Sequence, residues 1–134
     1  MRPATLAEAI KRIIDGSPQD VALPEFLDTF YLAPTPERQL STLIDVPPPT
    51  GDRRLDAFAG VVAEYLARQY QLPSIPEWVF ESHRFLERAW HVSQLDDPVM
   101  REYLTFASPA EFRSRNIFTE ERPLRRARSG LRQL

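Results

Sequence analysis

The sequence predicts an all-α protein, a compact single domain of about six or seven short helices with proline-rich connectors. Apolar residues recur at intervals of three and four along most of the chain, as they do on one face of a helix. Most of the 13 prolines fall where a helix would begin, a position that tolerates the missing N–H. No stretch shows the strict alternation of a β-strand, and 134 residues suit one core.

The first three helices are placed by their apolar spacing and their caps. Apolar repeats predict a first helix over about 5–15, which Gly16 ends. An aromatic-rich stretch predicts a short second helix that starts near Pro24, and Pro36 starts a third, with Thr35 as its cap. A capping side chain also stands directly before a proline at Ser17-Pro18, Asp97-Pro98 and Ser108-Pro109.

The most regular segment predicts a central helix over 52–71. Arg54, Glu64 and Arg68 lie mostly off its apolar face, so we expect them to meet solvent. That face consists of Leu55, Phe58, Ala59, Val62, Leu66 and Tyr70. Prolines make 46–50 and 72–76 stiff extended connectors on either side, because each proline disfavours helical geometry in the residue before it.

Three further helices are predicted after the second connector. An aromatic-rich stretch favours a helix over 82–90, and apolar spacing favours helices over 97–106 and 108–116. In the last of these, Glu111 stands three residues after Ser108, the spacing of a capping box.

Composition excludes several classes of protein. With no cysteine there is no disulfide framework, no thiolate nucleophile and no Cys-ligated zinc. Glu8 and the pair Lys11-Arg12 stand where a signal peptide needs an apolar run, and no stretch approaches the roughly 20 apolar residues that span a bilayer. We therefore expect a cytoplasmic protein without a membrane segment.

The residues also lack the usual catalytic motifs. The four glycines do not have the spacing of a phosphate-binding loop, and no serine lies in a Gly-x-Ser-x-Gly elbow. Lys11, the sole lysine, lies inside an amphipathic helix and is a poor candidate for Schiff-base chemistry. We expect a protein that is not an enzyme and that needs no cofactor.

One pattern suggests a metal site. His83, Glu87 and His91 follow one another in steps of four, which would stack them on one face of a helix, and their side chains suit zinc. However, eight residues between the histidines is wider than a single ion usually spans, and aromatic residues share the segment. The expectation is therefore a core segment and no metal.

The charge is distributed unevenly. Residues 113–134 hold seven arginines against two glutamates and carry a net charge of +5, whereas the remainder carries −7. We divide the chain into a helical domain, 1–118, and a basic C-terminal segment, 119–134. The segment is either a partly disordered tail or a docking segment, because apolar residues from Leu124 onward recur at helical spacing. The expected partner contacts are Arg113, Arg115, Asn116, Arg122, Arg125, Arg126, Arg128 and Arg132.

Nucleic acid is the alternative partner. The segments 97–106 and 109–116 have roughly the lengths of a helix-turn-helix, with Arg113, Arg115 and Asn116 as its DNA-contacting residues. The match is poor, because Glu102 and Arg113 stand where the motif needs apolar packing residues.

Three segments carry a resemblance to a known group of proteins. They are Leu23-Pro-Glu-Phe-Leu-Asp-Thr-Phe-Tyr31, Ala63-Glu-Tyr-Leu-Ala-Arg-Gln-Tyr-Gln-Leu72 followed by Pro76-Glu-Trp78, and Phe106-Ala-Ser-Pro-Ala-Glu-Phe-Arg-Ser-Arg-Asn-Ile-Phe118. Over roughly 5–128 the chain resembles short, arginine-rich bacterial proteins encoded beside nucleotidyltransferase-like toxins. These motifs contain no catalytic signature, so the resemblance implies an antitoxin-like partner of such a toxin. The alternative is a small transcriptional regulator.

Overall fold

The computed structural model describes residues 1–92, 108–119 and 123–124, and this part of the chain is mainly helical, as predicted. Its α-helices and β-strands are α1 (Leu6–Ile14), α2 (Gln19–Leu32), α3 (Pro36–Ser41), α4 (Arg53–Gln69), β1 (Trp90–His91), α5 (Ala110–Arg113) and β2 (Ile117–Phe118). Two 3₁₀ turns, Glu77–Phe80 and Ser82–Arg84, lie between α4 and β1. Among these residues no helix has the length and apolar character needed to cross a membrane.

Helix α1 begins as the sequence predicted. The Thr5 hydroxyl accepts a hydrogen bond from the Glu8 N–H at 3.0 Å, which satisfies one of the free donors at the helix start. The Glu8 carboxylate accepts from the Ala4 N–H at 2.8 Å and from Arg12 at 2.8 Å. These two hydrogen bonds hold the pKa of Glu8 below its ordinary value, with the Ala4 N–H as the larger cause.

The predicted start of the second helix near Pro24 is wrong. Helix α2 begins at Gln19, after Pro18, and Pro24 lies inside it. An interior proline removes one helical hydrogen bond and usually bends or ends a helix. Here the helix continues because the residues after Pro24 include Phe26 and Phe30, which are both fully buried.

Helix α4 is the centre of the core and confirms the predicted central helix. Asp52 caps it by accepting from the Arg54 N–H at 2.9 Å. Its burial extends beyond the predicted face, since Gly60 and Glu64 are buried as well. Tyr70, predicted to face inward, is 43% exposed.

The predicted helix over 82–90 is wrong. This stretch contains the second 3₁₀ turn and then β1, which pairs in parallel with β2, with Trp90 opposite Ile117. The backbone N–H of Trp90 donates to the Asn116 carbonyl at 2.8 Å, and the backbone N–H of Val92 donates to the Phe118 carbonyl at 3.0 Å. Aromatic and β-branched residues favour such extended pairing. The described part of the chain is therefore mainly helical, with one short pair of parallel strands.

The last predicted helix is shorter than expected, and its capping box is absent. The Ser108 hydroxyl pairs with the Thr119 backbone, accepting from its N–H and donating to its carbonyl, both at 2.7 Å. Pro109 is the N-cap residue of α5, and no side chain caps this helix. The predicted helix over 97–106 lies outside the described residues.

Arg84 is a buried charge that ties the 3₁₀ turns to α4. Its guanidinium donates to the carbonyls of Asp56 and Pro47, both at 3.2 Å, and lies 4.8 Å from the centre of the Trp78 ring. Burial lowers the pKa of Arg84, whereas the neighbouring carboxylates of Glu81 and Asp56 act in the opposite direction. The carbonyls and the aromatic ring compensate the cation for its lost hydration.

Gly60 permits this close approach of Arg84. A Cβ atom at Gly60 would lie 2.9 Å from the Arg84 Cβ, which is nearly backbone and has little freedom to move. We expect Gly60→Val to lower the free energy of unfolding by about 1–3 kcal/mol, the usual effect of overpacking. Chemical denaturation measures this loss in the free energy of unfolding. Gln69→Val, at an exposed position of the same helix, is the control, and equal losses in both variants would contradict the packing of Gly60 on Arg84.

Candidate protein-binding surface

The predicted partner contacts fall into three groups. Arg113 is exposed on α5, whereas Arg115 is buried and Asn116 is partly buried. The remaining arginines, at 122, 125, 126, 128 and 132, lie outside the described residues. Among the described members of the set, Arg113 alone is exposed.

Arg115 belongs to the core and has none of its surface exposed. Its Nη1 donates to the Glu64 carboxylate, and its Nη2 donates to the Val79 carbonyl at 2.7 Å. The guanidinium also lies 4.3 Å from the centre of the Phe85 ring. Arg115 is therefore placed inside the fold, where both of its Nη atoms donate to groups of the described structure and its buried Nε has no acceptor among the described residues.

Glu64 is the counterpart that the sequence did not reveal. Its second carboxylate oxygen accepts from Arg68 Nε at 2.9 Å, so Glu64 joins a buried arginine to one that is half exposed. Asp56, Gly60 and Glu64 are spaced by four along α4 and lie on one face. Polar and small residues on one face of an otherwise apolar helix indicate that polar side chains pack against that face. Arg84 and Arg115 do so here.

Asn116 is a turn residue. Its φ angle is 62°, in the left-handed region that asparagine tolerates better than most residues. Its side-chain amide donates to the Leu86 carbonyl at 2.7 Å. This amide links the end of α5 to the segment before β1, and the expected contact of the partly buried Asn116 with a partner stays a prediction.

The start of the basic segment is anchored to the helical domain. Leu124 is 5% exposed, and its carbonyl accepts from the Tyr31 hydroxyl on α2 at 2.8 Å. Arg125 and Arg126 follow directly in sequence. Leu124 is thus held against α2, one position before Arg125 in the sequence.

Beside Leu124 an open groove of about 460 Å³ runs between α2 and α4. The described residues that line it are Gln19, Asp20, Leu23, Pro24, Leu27, Asp52, Arg54, Leu55, Phe58, Trp90, Val92, Pro123 and Leu124. Most of these side chains are apolar. A contiguous apolar patch that is open to solvent often marks a binding site on a protein surface.

Trp90 gives the groove one unsatisfied polar group. Its indole Nε1 is buried and donates to no acceptor within the described part of the chain. The ring contacts the edge of Phe58, with 6.0 Å between ring centres, and the Arg54 guanidinium lies 5.3 Å from the ring centre. Tryptophan and arginine are the residues most enriched at the energetic centres of protein interfaces.

Arg54 lines the groove, and Arg53 and Arg88 lie beside Arg54 in an adjoining pocket; we call these three arginines the basic rim. All three are exposed, and they line an adjoining pocket of about 220 Å³ that also contains Glu87. In the part of the chain that the structure describes, no carboxylate lies within ion-pair distance of any of the three. Arg53 and Arg88 are far apart in the chain, so sequence spacing does not indicate that they lie side by side.

The metal-like pattern is not assembled on one helix face. His83 lies in a 3₁₀ turn with its Nε2 4.0 Å from Glu81, and the His91 ring stacks on Phe118 with 5.1 Å between ring centres. Within residues 1–92, 108–119 and 123–124 no group of three or more metal-ligating side chains is close enough to hold an ion.

No protein-family model, no curated protein and no solved structure matches this chain. The resemblance to antitoxin-like proteins stays a prediction from the sequence segments that carry it.

Proposed function

We propose that this chain is a non-enzymatic protein-binding module, an antitoxin-like partner that neutralises a nucleotidyltransferase-like toxin in the cytoplasm. The observation that carries this proposal is the anchored Leu124, which brings the start of a strongly basic segment to the edge of an open apolar groove. An apolar surface beside fixed charges is the usual composition of a protein interface.

The distribution of charge favours a protein over nucleic acid. Residues 1–112 carry −7 and residues 113–134 carry +5. A DNA-binding protein gains affinity when positive charge covers its whole contacting face, because each phosphate contact releases counterions. A basic segment on an acidic body suits instead a partner protein with an acidic groove.

A small DNA-binding regulator is the alternative function. Of its three proposed DNA contacts, Arg115 is buried and Asn116 donates its side-chain amide to Leu86. Arg113 alone is exposed among them. These placements weaken the alternative, which needs all three side chains in the groove of the DNA.

The proposal predicts a nucleotidyltransferase-like toxin gene beside the gene for this chain, and co-expression of the two genes tests it. We expect the toxin alone to stop growth, and the toxin together with this chain to permit it, with both proteins eluting as one complex in gel filtration. Retardation of the operon's promoter DNA by this chain, without growth rescue and without a complex, would favour the regulator.

The basic segment provides a sharper prediction. We expect the triple variant Arg125→Glu, Arg126→Glu, Arg128→Glu to associate with the partner about ten times more slowly at low salt, because complementary charge mainly raises the association rate. Stopped-flow mixing measures this rate.

The matched control carries the same change of charge at three exposed positions elsewhere, as Arg2→Glu, Lys11→Glu and Arg38→Glu. We expect it to associate at nearly the wild-type rate. Normal binding by the first variant would contradict the role of the segment. So would loss of DNA retardation on deleting 119–134 while partner binding stays intact.

A further inference from the structure

We infer that the pocket lined by the basic rim, between the start of α4 and the residues before β1, binds the phosphate group of a small molecule. The ligand is either inorganic phosphate or a phosphomonoester, since both present the same group with nearly two negative charges. This inference goes beyond the proposed function and does not depend on it.

The lining of this pocket is mainly cationic. The described residues that form it are Arg53, Arg54, Leu86, Glu87, Arg88 and Ala89. Three guanidiniums against one carboxylate leave the lining a net charge of +2, whereas residues 1–112 as a whole carry −7. A local positive patch on an acidic domain raises the concentration of anions at that place.

The three guanidiniums are available to a ligand. All three side chains are exposed, and Glu87 lines the same pocket without lying within ion-pair distance of any of them. Asp52, directly before Arg53, already accepts hydrogen bonds from the backbone N–H groups of the first turn of α4. Like charges that share a pocket repel one another, and a bound anion removes this repulsion.

Arg54 is held in place by the fold. Its guanidinium lies 5.3 Å from the centre of the Trp90 ring, within the range of a cation–π contact. The Trp90 ring contacts the edge of Phe58 on α4, and Trp90 itself pairs with Ile117 in the β1–β2 ladder. An arginine that is already restrained loses less conformational freedom when it binds a ligand.

The size and geometry of the pocket suit one phosphate group. Its volume of about 220 Å³ is below the roughly 300–1,000 Å³ of sites that enclose a drug-sized ligand. The planar fork of arginine donates two parallel hydrogen bonds to phosphate oxygens. Arginines from two separate segments can therefore bind different oxygens of one phosphate, whose charge matches the +2 of the lining. A single carboxylate would balance only half of that charge.

Titration calorimetry on the full-length protein, in a buffer free of phosphate and sulfate, tests the inference. The ligands are inorganic phosphate, phenyl phosphate and acetate. We expect both phosphates to bind with a dissociation constant below about 1 mM, and acetate to bind at least tenfold more weakly. Tighter binding of phenyl phosphate assigns a phosphomonoester as the ligand, because Leu86 and Ala89 offer apolar surface to its ring. Equal or weaker binding assigns inorganic phosphate.

Arginine variants locate the binding. We expect Arg53→Gln with Arg88→Gln to weaken phosphate binding at least tenfold, because two of the three forked donors are lost. Arg54 stays intact in this variant, since its contact with the indole ring belongs to the fold. The control, Arg2→Gln with Arg38→Gln, removes the same charge at exposed positions outside the pocket. We expect it to bind phosphate as the wild type does.

Glu87→Gln tests the pocket in the opposite direction. The change removes the carboxylate from the described lining and keeps the shape of the side chain, so we expect phosphate to bind several-fold more tightly. A gain in affinity cannot result from misfolding. Glu37→Gln makes the same change at an exposed position on α3, and we expect it to leave the affinity unchanged.

Four results would overturn the inference. They are no binding of phosphate in the millimolar range, binding of acetate as tight as that of phosphate, equal effects of the two arginine pairs, or an affinity of Glu87→Gln no higher than that of Glu37→Gln. A single-stranded oligonucleotide that binds at least tenfold more tightly than phenyl phosphate would assign these arginines to nucleic acid and would also contradict the inference. Failure of toxin neutralisation, in contrast, would leave phosphate binding unaffected.

Discussion

Glu64→Ala is expected to lower the free energy of unfolding by about 3–5 kcal/mol, the usual effect of breaking a buried ion pair from one side. The variant leaves Arg115 fully buried without its carboxylate, since the carbonyls of Val79 and Glu111 are its only remaining acceptors among the described residues. Urea denaturation followed by circular dichroism measures the loss.

Two further variants separate charge from packing. The pair Glu64→Leu with Arg115→Met should recover most of the stability, because apolar side chains of similar volume often replace a buried ion pair without loss. Arg68→Ala removes only the half-exposed partner of Glu64 and should cost less than about 1 kcal/mol. A loss for Glu64→Ala no larger than the loss for Arg68→Ala would show that the buried pair contributes little.

Leu66→Ala is expected to lower the free energy of unfolding by about 2–5 kcal/mol, because it empties a fully packed site in α4. The comparison is Leu32→Ala, the same change at a position on α2 that is 48% exposed, which should stay within about 0.5 kcal/mol of wild type. Denaturant melts of the two variants measure both. Similar stabilities for both would contradict the central position of α4 in the core.

Local rules predicted the helices whose signals lie within the helix itself. Helix α1 has its cap at Thr5 and α4 has its cap at Asp52, and both carry apolar residues at helical spacing. The same rules misplaced the start of α2, because packing of Phe26 and Phe30 overrides the tendency of Pro24 to end a helix. Intrinsic tendencies are weak where tertiary contacts decide.

The candidate binding surface could not be predicted from the sequence, because it is formed by contacts between residues that are far apart in the chain. Arg115 and Glu64 are 51 positions apart, so the polar face of α4 indicates that an arginine packs there but does not distinguish Arg115 from the exposed Arg113. The basic rim likewise joins Arg53 and Arg54 at the start of α4 to Arg88 before β1. The helix predicted over 82–90 is wrong for the same reason. The strand at the end of this segment forms only by pairing with residues near 117.

The rate of association between this chain and the partner proposed for it, a purified nucleotidyltransferase-like toxin, measured as a function of salt, tests protein binding most directly. We expect a complex that forms quickly at low salt and several-fold to tenfold more slowly as ionic strength rises from about 0.01 M to 0.15 M, where the screening length falls from about 30 Å to 8 Å. The absence of any complex at low salt, or a rate that does not change with salt, would contradict recognition of an acidic partner protein.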